Sequence, residues 1–307
     1  MELEGIHHVT NITGDARRNV DFYARVLGLR LVKKTVNQDD PTVYHLFYAD
    51  EQGSAGSDIT FFEYPGAAPG RAGDGMIHRI GWRVASDEAL DFWAERLSGE
   101  GIDSERHGDS LRFADPEGLG HELVISSAPD EPLIADHPEV PAELALRGFD
   151  HVRAYSSDPE RSRSLLEEAL GFSSASGGWE ARGERRGGLY AYDEPPAQPG
   201  FPGAGTVHHV AWASETDEHE AWRERVIRGG ARPTPVIDRF WFRSIYFREP
   251  SGVLFEIATL GPGFTTDEPL ERLGETIVLP PFLESRRKEI EARLTPLPDS
   301  RAARQGA

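Results

Sequence analysis

Two kinds of hydrophobic pattern alternate along the chain. Short runs in which apolar and polar residues alternate are typical of half-buried strands, and longer stretches with apolar residues three or four positions apart are typical of helices with one buried face. Each helical stretch follows an aspartate that could cap it. The predicted helices cover residues 16–27, 88–97, 159–170 and 218–227. Because each helix follows one strand and precedes several β-rich runs, we predict four βαβββ modules and an α+β fold.

The four modules are related by an internal repeat, and each half of the chain contains two of them. The segment around His8 recurs around His151, and the segment around Arg79 recurs around His209. The helix and turn landmarks that follow keep nearly the same spacing in both halves. Repetition on this scale is typical of tandem copies of one structural unit.

The repeat and the composition of the connecting segments predict the domain boundaries. We expect an N-terminal domain of two modules at 1–128 and a C-terminal domain of two modules at 147–262, built from cup-shaped mixed sheets. The segment 129–146 is rich in proline and acidic residues, which favours a linker. A tail at 263–307 follows, and its charge pattern predicts one solvated helix over 284–294.

Composition limits the classes of binding partner and the residue types that could bind a metal. The chain has 307 residues and a formal net charge of -19, which disfavours nucleic acid and anionic membranes as partners. It contains no cysteine, so any metal must be bound by histidines and carboxylates. It has neither an apolar run of transmembrane length nor the pattern of a signal peptide. We expect a cytoplasmic protein with small-molecule partners, and the sequence leaves homo-oligomer formation open.

Two histidines and one acid stand out because they lie on matching β-type segments. His8 lies in the N-terminal segment IHHVT, His209 lies in VHHVA past the middle of the chain, and Glu256 lies in LFEI further on. Two histidines and a carboxylate can occupy three positions on a metal and leave others open for substrate and oxygen. Since the three residues are remote in sequence, only the fold can bring them together.

Several longer segments carry a family resemblance. They are GIHHVT at 5–10, HHVA at 208–211, SIYFREP at 244–250, GVLFEIAT at 252–259 and GPGF at 261–264. With the four modules, these segments resemble the vicinal oxygen chelate superfamily, which includes glyoxalases, bleomycin resistance proteins and extradiol dioxygenases. Within it, the chain is similar to the hydroquinone-type ring-cleaving dioxygenases.

The resemblance implies a metal centre and a set of supporting residues. It places the ligands of a ferrous ion on His8, His209 and Glu256, with Mn, Ni and Zn as alternative metals, and it implies that modules 1 and 4 face each other across one cup. It also implies catalytic or substrate-contacting roles for a second group of residues: His7, Thr10, His208, Arg239 and Tyr246.

Strand periodicity tests these implied positions. Residues two apart share a strand face, so Thr10 lies beside His8, the predicted ligand two positions before it. His7 and His208 would lie on the opposite face from the ligands unless a bulge intervenes. Arg239 and Tyr246 are an odd number of residues apart, so a bend or bulge is needed to bring both to one site. Without these irregularities, each of the four residues would be an ordinary structural side chain.

The repeat also predicts a second pocket between modules 2 and 3. Its matching positions are His151, Arg79 and Glu122. A guanidinium has no lone pair to donate to a metal, and Arg79 could pair with Glu122 instead. We therefore expect one metal site per chain.

Glu63 leaves the number of ligands open. It closes module 1, where a glyoxalase-like isomerase would supply a fourth ligand and form a two-His-two-Glu site. An alternative register places Phe62 at that position. The Pro-flanked end of the matching strand in module 3 favours a structural role for Glu63 and hence three ligands.

These observations lead to one expected function and two alternatives. We expect an Fe(II)-dependent ring-cleaving dioxygenase that acts on a hydroquinone or related aromatic diol with O2. The alternatives are a glyoxalase I-like metal-dependent isomerase or lyase, and a non-catalytic small-molecule binding or resistance protein, because fold alone does not determine function. The aromatic residues 240–242 could line an apolar pocket for the ring.

Overall fold

The computed structural model describes residues 1–297, and its strands and helices follow the order of four βαβββ modules. Module 1 consists of β1 (Ile6–Thr13), α1 (Ala16–Val20), β2 (Arg30–Val36), β3 (Tyr44–Ala49) and β4 (Asp58–Glu63). Module 2 consists of β5 (Ile77–Val84), α2 (Asp87–Gly99), β6 (Ser104–His107), β7 (Ser110–Ala114) and β8 (Gly120–Ile125).

The second half repeats this order. Module 3 consists of β9 (Phe149–Tyr155), a 3-10 turn (Pro159–Ser162), a π-helical turn (Leu165–Ala169), β10 (Ser173–Ala175), β11 (Gly178–Arg182) and β12 (Gly187–Asp193). Module 4 consists of β13 (Thr206–Ser214), a 3-10 turn (Thr216–Glu218), α3 (His219–Arg228), β14 (Ile237–Asp238), β15 (Arg243–Arg248) and β16 (Leu254–Thr259).

The sixteen strands found in residues 1–297 form two curled mixed sheets of eight strands each. The first sheet has the order β14-β15-β16-β13-β1-β4-β3-β2 and unites modules 4 and 1. The second has the order β10-β11-β12-β9-β5-β8-β7-β6 and unites modules 3 and 2. The α+β fold is thus confirmed, and each sheet takes one module from each half of the chain. The predicted pairing of modules 1 and 4 brings β1 and β13 together at the centre of the first sheet.

The helices depart in detail from the predicted ones. The Asp15 carboxylate caps α1 by accepting from the backbone of Arg17 and Arg18, both at 3.1 Å, but α1 passes into a π-helical turn at Asp21–Val26. Helix α2 is capped by the Ser86 hydroxyl, one residue before the expected aspartate. The helix predicted at 159–170 is a 3-10 turn followed by a π-helical turn, in which buried leucines still face the sheet.

The tail covers the free edge of the first sheet. The backbone N–H of Val278 donates to the carbonyl of Lys34 at 2.9 Å, and the Arg30 guanidinium donates to the carbonyl of Leu270 at 2.7 Å. Both partners lie on β2, an edge strand whose unpaired groups need such cover. The tail helix begins as a 3-10 turn (Pro281–Arg286) and continues as α4 (Arg287–Glu291), with Ile290 buried. The last residues of the predicted tail, 298–307, lie outside the described part.

Apolar side chains from both sheets and the helices fill one large core. Its largest buried members include Trp82, Trp93, Trp212 and Trp222. We call the sheet of modules 4 and 1 the first cup and the sheet of modules 3 and 2 the second cup. A separate small cluster lies inside the first cup, where Phe264 of the tail packs with Phe47 and Trp241. Among residues 1–297, no helix has both the length and the apolar character needed to cross a membrane.

Candidate metal centre

The two central strands of the first sheet each carry a β-bulge next to a predicted ligand. In the antiparallel pairing of β1 and β13, the register shifts between Ile6 and His8, which leaves His7 as the extra residue of β1. A second shift beyond Thr10 leaves His208 as the extra residue of β13. A bulge redirects the side chain that precedes it or follows it. The condition for His7 and His208 to reach the ligand side is therefore met.

The fold brings the three predicted ligands together. His8 Nε2 lies 3.2 Å from Glu256 Oε2, and His209 Nε2 lies 2.8 Å from the same oxygen. The two Nε2 atoms are 3.3 Å apart, and all three residues are buried. Within residues 1–297, this is the one group of three such side chains whose ligand atoms converge.

Hydrogen bonds fix the tautomer of His8. His7 Nε2 lies 3.2 Å from the carbonyl oxygen of Thr259, which can only accept, so His7 Nε2–H donates. Burial and the charge of His8 lower the pKa of His7 to about 3, so its ring is neutral and its Nδ1 accepts. His8 Nδ1–H then donates to His7 Nδ1 at 2.9 Å. The lone pair of His8 is consequently on Nε2, the atom that faces the other two ligands.

A hydrogen bond to the neighbouring histidine also orients His209. Its Nδ1 lies 2.7 Å from the Nδ1 of His208. Burial and the charge of His209 lower the pKa of His208 to about 3, which keeps the His208 ring neutral. A neutral His208 can accept the Nδ1–H of His209, and His209 Nε2 then carries a lone pair toward Glu256. A hydrogen bond of this kind on the remote ring nitrogen is what orients a metal-ligating histidine.

The donor set fits a divalent cation. Within the described residues, neither carboxylate oxygen of Glu256 receives a hydrogen bond of good geometry. Burial alone would raise the pKa of Glu256, but the adjacent His8 and His209 rings, when protonated, lower it well below its usual range, so Glu256 is ionised. Three buried lone-pair atoms at these separations repel one another unless a cation lies between them. Two imidazoles and one carboxylate are typical of non-haem iron sites and also occur at zinc sites.

Strand register decides which residue of module 1 corresponds to Glu256. In module 4, β16 pairs Glu256 with Ala211 of β13. In module 1, the equivalent strand β4 pairs Thr60 with Thr10 of β1. Thr60 therefore stands where a fourth ligand would be, and its hydroxyl donates to the Thr10 hydroxyl at 2.8 Å.

Glu63 lies elsewhere. It pairs with Thr13 at the far end of β1, and its carboxylate accepts from the backbone N–H of Ala16 at 3.3 Å. A carboxylate is favourable at the first turn of a helix, where backbone N–H groups lack partners. Neither Glu63 nor Phe62 occupies the fourth position that the sequence left open.

Arg239 and Tyr246 meet at the mouth of the same site. The backbone between them bends at Phe240, whose φ of 74° is uncommon for a residue with a side chain. Arg239 Nε donates to the Tyr246 hydroxyl at 3.4 Å, and its guanidinium donates to the exposed carboxylate of Asp39 at 2.9 Å. The Tyr246 ring packs edge-on against His209. Burial and the charge of Glu256 raise the pKa of Tyr246, so its phenol stays protonated.

Aromatic side chains enclose the cavity in front of the ligands. The Phe242 ring lies 5.4 Å, centroid to centroid, from both His7 and His8. Trp241 donates its Nε1–H to Asp267 of the tail at 3.1 Å. The buried Lys33 ammonium lies 2.8 Å from the same carboxylate and 5.2 Å from the Trp241 ring. The tail thus holds one wall of a cavity with about 390 Å³ of space between atoms.

One polar group of this cavity, His45 on β3, belongs to no motif that the sequence singles out. Its ring lines the cavity, and its Nε2 lies 2.9 Å from the Thr60 hydroxyl. Period-two alternation places His45 and Phe47 on one face of β3. That alternation was a usable signal, but it does not by itself say which face of the strand is concave.

The second pocket has the same frame and a different chemistry. Its bulge residues are His78 in β5 and Asp150 in β9. His151 Nδ1–H donates to the Asp150 carboxylate at 2.9 Å. The Glu122 carboxylate accepts from the guanidinium of Arg112 at 2.9 Å and from the Ser110 hydroxyl at 2.7 Å.

Arg79 stands at the third ligand position of the second pocket. It contacts Glu122 at 3.4 Å. Guanidinium groups therefore neutralise the carboxylate that would otherwise bind a cation. Opposite, Gly81 makes room for the ring of His151, because a Cβ there would lie 2.2 Å from the ring.

Comparison with known proteins agrees with this architecture. The family model described as the Glyoxalase/Bleomycin resistance protein/Dioxygenase superfamily matches residues 5–123 and 148–257. A Bacillus subtilis protein provisionally named ring-cleaving dioxygenase MhqA is 41% identical, over 97% of this chain and 100% of its own length. The chlorohydroquinone/hydroquinone 1,2-dioxygenase of Sphingobium indicum is 34% identical, over 94% of this chain and 95% of its own.

A solved structure extends the comparison to three dimensions. A crystal structure provisionally titled as a dioxygenase from Bacillus subtilis superposes with a TM-score of 0.90 at 39% identity. The match covers 97% of this chain and 98% of that one, so it includes both cups and the tail. The chain therefore belongs to the glyoxalase, bleomycin resistance protein and dioxygenase superfamily and, within it, to the ring-cleaving dioxygenases.

Proposed function

We propose that this protein is an Fe(II)-dependent dioxygenase that opens the ring of a hydroquinone or related aromatic diol with O2. The observation that carries the proposal is the convergence of His8, His209 and Glu256 into a cluster of acceptor atoms, each imidazole supported through Nδ1. The hydroquinone dioxygenase among the relatives supports the substrate class. Thr60 at the fourth position supports three protein ligands instead of the two-His-two-Glu set of the isomerase alternative.

His8, His209 and Glu256 would hold the metal. When bound, Fe(II) supplies open coordination positions at which a phenolate and O2 can react together. Glu256 contributes the negative charge that offsets the metal, and a neutral His7 keeps His8 in the tautomer that presents Nε2. Phe242 and the other aromatic walls exclude water, which strengthens polar interactions inside the cavity.

The groups at the mouth have the chemistry to hold and protonate a substrate oxygen. The Tyr246 hydroxyl accepts from Arg239 and retains its own proton, so it can donate to an anionic oxygen. The permanent charge of Arg239 stabilises that oxygen electrostatically. His208 accepts the Nδ1–H of His209 with its one lone pair, so it orients that ligand and does not act as a base. The Thr10 hydroxyl lies on the face of β1 that carries His8 and fixes Thr60 in place.

An oxygen electrode tests the proposal. Protein loaded anaerobically with Fe(II) is expected to consume O2 when hydroquinone is added, in step with the loss of aromatic absorbance. Protein loaded with Zn(II) is the matched control and is expected to consume none, because zinc has no accessible redox change. The absence of O2 uptake with hydroquinone and with its chloro- and methyl-substituted forms would overturn the proposal.

A further inference from the structure

His45 lies in the cavity but outside the ligand set. Strand β3 places it beside Phe47 and opposite Phe62 of β4, and its ring centroid lies 3.9 Å and 4.4 Å from theirs. These contacts hold the imidazole between two apolar rings. It lines the same cavity as His8, His209 and Tyr246.

Hydrogen bonds fix the tautomer of His45. The Thr60 hydroxyl has one proton and donates it to Thr10 at 2.8 Å, so toward His45 it can only accept. His45 Nε2–H is the donor in the 2.9 Å contact with Thr60. Burial, followed by the charges of His8 and His209, lowers the pKa of His45 well below its usual value. The neutral ring therefore carries its lone pair on Nδ1, to which no group among residues 1–297 donates.

Other polar groups at the mouth of the cavity are already engaged. The Asn37 amide oxygen accepts from the backbone N–H of Asp39 at 2.9 Å, and the Gln38 amide donates to the carbonyl of Arg239 at 2.8 Å. The Asp39 carboxylate accepts from the Arg239 guanidinium. Away from the ligand cluster, His45 Nδ1 is thus a free acceptor set in apolar surroundings.

We propose that His45 is a specificity-determining residue that accepts a hydrogen bond from the second hydroxyl of the aromatic diol. The inference rests on the proposed function, in which the first hydroxyl binds at the metal. Thr60, which takes the place of a fourth ligand, acts as a positioning residue because it holds the His45 ring by Nε2–H. A site that hydrogen-bonds a substrate hydroxyl discriminates strongly against analogues that lack it, since the buried acceptor is then left unpaired.

Anaerobic calorimetric titration of the Fe(II)-loaded protein tests this role. The probes are hydroquinone, 4-methoxyphenol and phenol, which share one hydroxyl but differ in whether they carry a second donor. The parent protein is expected to bind hydroquinone about tenfold or more tightly than either analogue. His45→Leu is expected to remove this preference and to leave the iron content unchanged. His45→Asn, whose amide oxygen can stand near the Nδ1 position, is expected to restore part of it.

A second variant keeps the test independent of how His45→Leu folds. Thr60→Val removes the acceptor of Nε2–H without changing the side-chain shape, and it is expected to reduce the preference for hydroquinone, whereas Thr60→Ser is expected to keep it. Equal binding of the three probes by the parent protein, or an undiminished preference in both His45→Leu and Thr60→Val, would overturn the role of His45.

The outcomes for His45 and for the proposed reaction are separable. A preference for hydroquinone that depends on His45, in a protein that consumes no O2, would support the binding role and overturn the dioxygenase reaction. Rapid O2 uptake with hydroquinone, with the three probes bound equally, would support the reaction and overturn the inference.

Discussion

The two cups of this protein share a backbone frame and differ in what their central side chains can bind. In both cups, two antiparallel strands meet at the centre, each with a bulge beside a ligand position, and an acid arrives on the next strand. In the first cup, three acceptor atoms converge with no donor between them. In the second cup, Arg79 and Arg112 donate to Glu122, and His151 is bonded to Asp150.

The difference shows that the residues at the neighbouring ligand positions decide whether the carboxylate stays without a donor or is paired within the protein. Where both strands present histidines, three acceptor atoms converge that could bind a metal ion; where one strand presents arginine, the carboxylate pairs with that guanidinium.

Replacing the acid in each cup is expected to give the largest contrast. Glu256→Gln removes the negative ligand and should weaken iron binding about 100-fold or more, and turnover with it, because losing even a supporting residue costs 10–100-fold. The matched variant, Glu122→Gln, should leave iron content unchanged and destabilise the fold by about 1–3 kcal/mol, since two guanidinium groups lose their partner. Anaerobic iron titration and thermal melts measure the two effects. Loss of iron from Glu122→Gln would reverse the assignment of the cups.

Replacing the bulge residue beside each cup's first histidine is expected to give the second largest contrast, measured as iron affinity. His7→Ala removes the acceptor of His8 Nδ1–H, so iron affinity should fall about 10–100-fold. Asp150→Ala removes the equivalent acceptor of His151 and should leave iron affinity unchanged. Isothermal titration with Fe(II) under argon compares them. Equal affinity in the parent and in His7→Ala would show that packing against Phe242 alone suffices to orient His8.

Building a metal-binding set of residues into the second cup is expected to have a smaller effect on metal binding. The double variant Arg79→His, Arg112→Leu restores a second histidine and frees Glu122, so a second ion should bind, more weakly than the first by about tenfold or more. Titration with Co(II), followed by its visible absorption, counts the ions per chain. Single-ion binding by a folded double variant would mean that Asp150 or Ser110 also decides the chemistry of this cup.

The smallest expected effect is a pH dependence of the folding stability that comes from His151 in the second cup. Burial by itself lowers the pKa of His151, but hydrogen bonds to Asp150 and Glu122 outweigh it and raise the pKa above its usual value of 6.5. The folded state therefore holds this proton more tightly, and the resulting stability is full below about pH 6.5 and is lost as pH rises through the folded pKa.

Comparing His151→Asn with the parent protein tests that sign. The fall in Tm caused by the substitution should be larger at about pH 5.5 than at about pH 8.5. Differential scanning calorimetry at both pH values gives the comparison, with Gly81→Ala as a control that displaces the same ring sterically. A larger fall at the higher pH would contradict the prediction.

Much of this comparison was predictable because the repeat is preserved in local patterns. The offsets between His8 and His151 and between Arg79 and His209 relate the modules of the two halves and indicate which pocket lacks a ligand, whereas the family resemblance implied that modules 1 and 4 share a cup. The family resemblance added Arg239 and Tyr246. What could not be predicted was whether those side chains reach the site, since a strand pattern gives alternation and a bulge interrupts it without a clear sequence signal.

Three features of the structure could not be predicted from the sequence. Glu63 had the right chemistry for a fourth ligand and the wrong register, by three positions along β4. His45 had no motif at all, and its place in the cavity follows from cross-strand contacts with Phe62 and Thr60. Helix 159–170 had a helical pattern, yet tertiary packing replaced it with irregular turns.

The modules, the candidate ligands and the arginine of the second pocket could be predicted from the sequence, because composition and periodicity are local and recur in both halves of the chain. The folded arrangement was needed to show that His7 and His208 contact His8 and His209, that Thr60 stands at the fourth position, and that His45 lines the cavity. These outcomes depend on strand register and bulges between segments up to two hundred residues apart, and a shift of one residue moves a side chain to the other face of the sheet.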